Sequence, residues 1–183
     1  MIDKRTTLPR GCILSNNSKS YEIVGEIGRG ANCIVYNASY LDSAGLKHLA
    51  RVKELYPIYL LLERNEDFEI CCNESQLEKF EDAKKRFEKS YETNIEFRNT
   101  YGVMNSTVNI ADKFSSNGTL YAVMNLDEGT DYQNYTDRSL VEILSHIKAL
   151  ATVINKYHSD GYLHLDIKPE NVFVIPETAE HVF

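Results

Sequence analysis

The stretch His164-Leu165-Asp166-Ile167-Lys168-Pro169-Glu170-Asn171 gathers an imidazole, two carboxylates, an ammonium and a carboxamide within eight residues. Ahead of it, Leu140, Ile143, Leu144, Ile147, Leu150, Ala151, Ile154 and Tyr157 recur at three- and four-residue spacing, which predicts an amphipathic helix over 139–159. Ser139 and Glu142 have the spacing of a capping box at its start, and Gly161 is placed to end it in the left-handed conformation. Behind the polar stretch comes the apolar run Val172-Phe173-Val174. A charged loop is thus held between a helix and an apolar segment.

Further upstream the pattern changes to strands. Tyr21, Ile23, Gly25 and Ile27 alternate with a polar row, Gly28-Arg29-Gly30 interrupts, and Cys33-Ile34-Val35-Tyr36 resumes, which reads as a hairpin. A third strand runs through residues 49–55 and is closed by Pro57. Residues 75–98 read as a helix, with Ser75 and Glu78 as its capping box and Phe80, Ala83, Phe87, Tyr91 and Ile95 as its apolar stripe. Two more strands, near 108–114 and 119–124, flank Asn117-Gly118, a strong hairpin signal. Residues 1–19 read as a polar, irregular extension with a loop at Asn16-Asn17-Ser18. The order predicts an α+β fold: five antiparallel strands with one long helix over 20–126, a polar hinge, and a helical region over 127–183.

The eight-residue stretch resembles the catalytic loop of protein kinases, where an Asp is followed five residues later by an Asn. That resemblance implies that Asp166 accepts or orients the proton of the attacking hydroxyl and that Asn171 ligates Mg²⁺. It places Lys168 over the migrating phosphoryl group, a lysine that marks the serine/threonine branch, and has His164 brace the loop. Gly28-Arg29-Gly30-Ala31-Asn32-Cys33-Ile34-Val35 resembles the glycine-rich loop over the phosphates of ATP, with Cys33 where the third glycine stands and Val35 closing the motif. Lys53, 18 residues after Val35, holds the place of the lysine that grips those phosphates. Ala50-Arg51-Val52-Lys53 departs from the family's V-A-I-K, because Arg51 replaces the small residue that lets adenine pack. Glu88, Glu92 and Glu96 lie four apart, so periodicity does not choose the helical partner of Lys53; Glu92 is expected. Met124 and Leu126 match the gatekeeper and the hinge that binds the adenine edge. Leu165 stands where many kinases carry an arginine that answers a phosphorylated activation loop, and is expected to pack beneath the catalytic loop instead.

The resemblance covers residues 8–183, leans toward bacterial kinases of the eukaryotic-like type, and implies a domain that stops before D-F-G. ATP, Mg²⁺ and a protein substrate are the expected ligands. A pseudokinase, or other non-catalytic nucleotide-binding or scaffolding module, is the competing reading, favoured by Arg51 and Cys33 and disfavoured by the intact catalytic loop. Lys168 speaks against a small-molecule kinase of the same fold. The net charge of −7 argues against nucleic-acid binding, which rests on neutralising phosphates. The four cysteines, at 12, 33, 71 and 72, make no metal-binding spacing and are read as reduced thiols. No signal peptide or membrane span is evident, the longest apolar run being Ile58 to Leu62, so a cytoplasmic location is expected.

Overall fold

Alternation along Ser20–Arg29 buries Tyr21 and Ile23 and exposes Glu22 and Val24, and the chain pairs with itself accordingly. In a computed structural model, which describes residues 3–101, 110–125, 130–136, 138–175 and 180–182, a six-stranded antiparallel sheet forms. Its strands are β1 (Ile13–Ser15), β2 (Ser20–Arg29), β3 (Cys33–Leu41), β4 (Lys47–Leu55), β7 (Ile110–Ser116) and β8 (Thr119–Asn125), in the order β1-β2-β3-β4-β8-β7. A two-stranded hairpin of β5 (Glu63–Arg64) and β6 (Ile70–Cys71) follows β4. The sheet therefore has one strand more than the five expected. β1 lies in the supposedly irregular extension, where Asn16 turns the chain by accepting from the Ser18 and Lys19 amides through its Oδ1. Register shifts between Ile23 and Gly25 and between Glu26 and Gly28 break the alternation of β2, which is why Ile27 is exposed and leaves the core row.

Helix α1 (Glu74–Tyr101) begins before Ser75, so the expected capping box at Ser75 does not form; the Ser75 hydroxyl donates to Asn73 Oδ1 at 2.8 Å, and Asn73 sits at the cap. Phe80, Ala83 and Tyr91 are buried as the stripe requires, whereas Ile95 is exposed and Phe97 is buried in its place. The reason is a change of surroundings. The chain forms two compact units, one of residues 1–93 and 110–126 and one of residues 94–109 and 127–183. In the second unit Phe97 packs with Val153 and Tyr157, its ring stacked 3.9 Å from that of Tyr157.

Asn117 (φ 49°) and Gly118 (φ 71°) make the β7–β8 hairpin, and a Cβ on Gly118 would lie 2.5 Å from the Ile70 carbonyl oxygen. In the second unit, α2 (Leu140–Ser159) carries the expected capping box of Ser139 and Glu142. Gly161 (φ 81°) ends α2, and the Tyr162 amide reaches back to the Tyr157 carbonyl at 2.8 Å. Of the α2 face, Val153 and Tyr157 are buried, while Leu140, Val141, Leu144 and Ile147 are exposed. A short sheet of β9 (Thr130–Asp131), β10 (Phe173–Ile175) and β11 (Glu180–Val182) completes this unit. No helix among the described residues is long and apolar enough to cross a membrane.

The core of the first unit encloses a charge. Glu54 on β4 is wholly buried, and its carboxylate accepts from Arg64 Nη2 at 2.7 Å, the Tyr36 hydroxyl at 2.8 Å and the Tyr121 hydroxyl at 2.7 Å. Burial, with the adjacent carboxylate, pushes both tyrosine hydroxyls well above their ordinary range, so they remain donors. Breaking one side of a buried pair leaves an uncompensated charge. Arg64→Met is therefore expected to lower stability in urea denaturation by about 3 kcal/mol or more, and Glu54→Leu added to it to restore a large part. A loss below about 1 kcal/mol for the single variant would show the carboxylate to be hydrated.

Candidate active site

Cross-strand register gathers most of the candidate residues of the first unit onto one face of the sheet. Gly28 is opposite Val35, Val35 opposite Lys53, and Lys53 opposite Ala122, which in turn faces Lys113. The neighbouring row holds Asn37, Arg51 and Met124. Directly paired residues project to the same side, and the opposite side carries the core residues Tyr36, Val52, Glu54, Tyr121 and Val123. On the open face Val35, Arg51 and Met124 are half-buried and Lys53 is exposed. Arg51 therefore lies beside Met124. Leu126 lies outside the described residues.

Among the described residues no ion pair joins Lys53 to Glu92, its expected partner, which is exposed. Glu88 meets another lysine of the row, its Oε1 standing 3.6 Å from Lys113 Nζ, two strands beyond Lys53. The signal for this was Lys113 itself, one residue before Phe114 in a strand the sequence had located.

At the tip of the β2–β3 hairpin the carbonyls of Ala31 and Asn32 accept from the amides of Ile58 and Tyr56, both at 2.9 Å, and the Gly30 amide donates to the Cys33 carbonyl. The amides of Ala31 and Asn32 make no hydrogen bond among the described residues. Nothing stands within 4 Å of where a Cβ on Gly28 or Gly30 would sit. Cys33 is buried, and that burial pushes its thiol up to about 11, so it acts as an apolar plug and not as a nucleophile.

In the second unit the predicted loop residues do converge. Asn171, at the end of a single 3₁₀ turn (Pro169–Asn171), donates through Nδ2 to Asp166 Oδ2 at 2.7 Å and to the Asp166 carbonyl at 2.9 Å. Lys168 Nζ stands 3.5 Å from Asp166 Oδ1. The Asp166 amide faces His164 Nδ1 at 3.4 Å, and the half-buried His164 ring meets Tyr157 edge-on. Asp166 is exposed, and the Asn171 carboxamide, with Lys168 behind it, holds its carboxyl below the ordinary range. The carboxylate thus has Asn171 on Oδ2 and Lys168 beside Oδ1 and remains open to solvent. Leu165 corrects one expectation: it is 87% exposed with φ 61°, so it does not pack beneath the loop. A left-handed residue here turns the backbone sharply between His164 and Asp166.

An antiparallel sheet with one long helix, followed by a helix and an Asp–Lys–Asn loop, is the fold of a protein kinase domain, and the likeness to solved structures shows it. The chain is similar to a crystal structure described as a kinase domain, with a TM-score of 0.62 and 16% identity, over 92% of this chain and 43% of that one. Among curated proteins it is similar to a probable serine/threonine-protein kinase of Dictyostelium discoideum, 26% identical over 171 residues. That match takes in 86% of this chain and 35% of the relative, so the chain spans about a third of the relative's length. No family model matches the chain.

Because the Asn171 hydrogen bond is the leading cause of the depressed Asp166 carboxyl, Asn171→Ala removes it. The carboxyl is then expected to protonate at higher pH than in the parent, read by carbon NMR of the Asp166 side chain across an acid titration. An unmoved midpoint would mean that this contact is absent in solution.

Proposed function

We propose that this chain carries the nucleotide-binding sheet and the catalytic loop of an ATP-dependent protein serine/threonine kinase. The observation that supports this most is the Asp166 carboxylate fixed by Asn171 and Lys168 on an exposed loop. Phosphoryl transfer asks the protein mainly to position groups and offset charge. Asp166 takes the proton of a substrate hydroxyl as its oxygen bonds to the γ-phosphorus, while the bond to the bridging oxygen breaks and ADP leaves. Lys168 offsets the charge on the oxygens in transit. A lysine at this place makes a protein side chain the substrate class.

The residues fit the expected ligands. Asn171 has both donor contacts turned to Asp166, and its Oδ1 accepts nothing among the described residues, so that oxygen would be the one to hold Mg²⁺. When bound, Mg²⁺ neutralises phosphate oxygens. Lys53 is an exposed ammonium in the row of Gly28 and Val35, with two unused amides at the hairpin tip. Glu92, Met124 and Leu126 complete the proposed nucleotide site, which the hinge edge of adenine would meet. Four free thiols agree with a cytoplasmic location.

A non-catalytic nucleotide-binding or scaffolding role is the second reading, and Arg51 favours it, since a half-buried guanidinium flanks Met124 where adenine would lie. One titration tests the nucleotide site itself and, if it fails, leaves only the scaffolding form of the second reading. Mg-ATP is expected to raise the melting temperature of the chain, and Lys53→Met to weaken the apparent affinity by about tenfold, the scale of one charge-assisted contact. Absence of any stabilisation at millimolar ATP would overturn the nucleotide site and leave the scaffold.

A further inference from the structure

The polar N-terminal residues are fastened to the glycine hairpin. Arg5 is 8% exposed, and its guanidinium donates to the Tyr56 carbonyl and, through Nη2, to the Gly30 carbonyl at 2.9 Å. Asp3 holds that guanidinium in a fork, accepting from Nε at 3.0 Å and from Nη2 at 2.7 Å. Arg29 returns from the hairpin to donate to the Arg5 carbonyl at 2.9 Å, while Glu26 grips Arg29 at 2.6 Å. Two further ties bind the same segment to the core: the Leu8 amide donates to the Tyr36 hydroxyl at 3.2 Å, and Arg64 Nε donates to the Thr6 carbonyl at 2.9 Å.

The consequence lies in the peptide planes. A trans peptide sets its C=O and the following N–H in opposite directions. Arg5, Ile58 and Tyr56 take the carbonyls of Gly30, Ala31 and Asn32 in turn. The amides of Ala31, Asn32 and Cys33 are thereby turned away from those donors. Successive amides aimed outward are what an anionic phosphate needs, and a carbonyl rotating among them would repel it. Glycines at 28 and 30 leave the hairpin free to rotate, so something has to hold it.

We infer that residues 3–8 form a strap that fixes the glycine hairpin in its phosphate-accepting conformation, with Arg5 the positioning residue. This rests on the nucleotide-binding reading given above. Arg5 touches no nucleotide; it acts through the Gly30 and Tyr56 carbonyls, and Asp3 acts through Arg5.

Adenosine and ATP differ in the group the strap governs, so the ratio of their affinities isolates it. The 183-residue chain is titrated with adenosine and with Mg-ATP, by calorimetry, as parent, Arg5→Ala, Arg5→Lys and Asp3→Asn. Arg5→Ala is expected to weaken ATP by about fivefold to tenfold, the scale of ordering a few loop groups, and to leave adenosine unchanged. Arg5→Lys keeps the charge without the fork and is expected to behave like Ala; Asp3→Asn follows with a smaller loss and decides the matter if Arg5→Ala does not fold. A parent ratio preserved in every folded variant overturns the strap while sparing the nucleotide site. Failure of the parent to bind either ligand overturns the nucleotide site itself and the strap with it.

Discussion

A carboxylate with no access to water organises the first unit. Glu54 draws together β3 through Tyr36, β8 through Tyr121 and the segment after β4 through Arg64. Each of these groups has a second duty. Tyr36 accepts from the Leu8 amide, and Arg64 donates to the Thr6 and Phe68 carbonyls. Such a network is costly when partly satisfied and specific when complete, because every alternative register strands a polar group in the core. It also sets the parity of β4: with Glu54 inward, Lys53 must face outward, onto the row that holds Gly28 and Val35. The chemistry proposed for the open face is thus conditional on an ion pair on the hidden one.

The two halves of the proposed site are built by opposite means. On the sheet, residues distant in sequence are aligned by register, and rigidity comes from pairing on both sides. On the loop, residues 164–171 contact one another over at most five positions, and one 3₁₀ turn and one left-handed residue give them their shape. Exposure of Asp166 and Lys168 follows, since no packed layer is needed to hold them.

That difference explains how far the sequence could be read. The loop is a local object, so its composition, the capping box at Ser139 and the stop at Gly161 stood in plain order along the chain. The hairpin at Asn117-Gly118 was equally local. Misreadings arose where a backbone detail or a distant partner decided the outcome. Asn73, not Ser75, heads α1; bulges in β2 expose Ile27; and Phe97, not Ile95, is buried because the helix changes neighbours after Thr93. Leu165 was read as an apolar prop, but the backbone turn it makes sends its side chain into solvent. That Glu88 meets Lys113 was equally out of reach, because the pair joins a helix to a strand and no periodicity supplies it. Least legible was the N-terminal segment, where an arginine bonds carbonyls 25 and 51 positions away and only the closeness of Asp3 to Arg5 hinted at it.

Helix α1 has a bearing on how the protein is dissected. Its 28 residues make a rod about 42 Å long, and the change from one unit to the other falls at Thr93–Asn94, inside continuous helix and not at a linker. Cutting there would leave four orphan carbonyls on one piece and four orphan amides on the other. A shortened form that retains all of α1 would instead carry Phe97 without Val153 and Tyr157 to cover it. The two units are therefore compact by themselves but not separable with a protease or a primer, and fragments of this chain should retain the helix only whole.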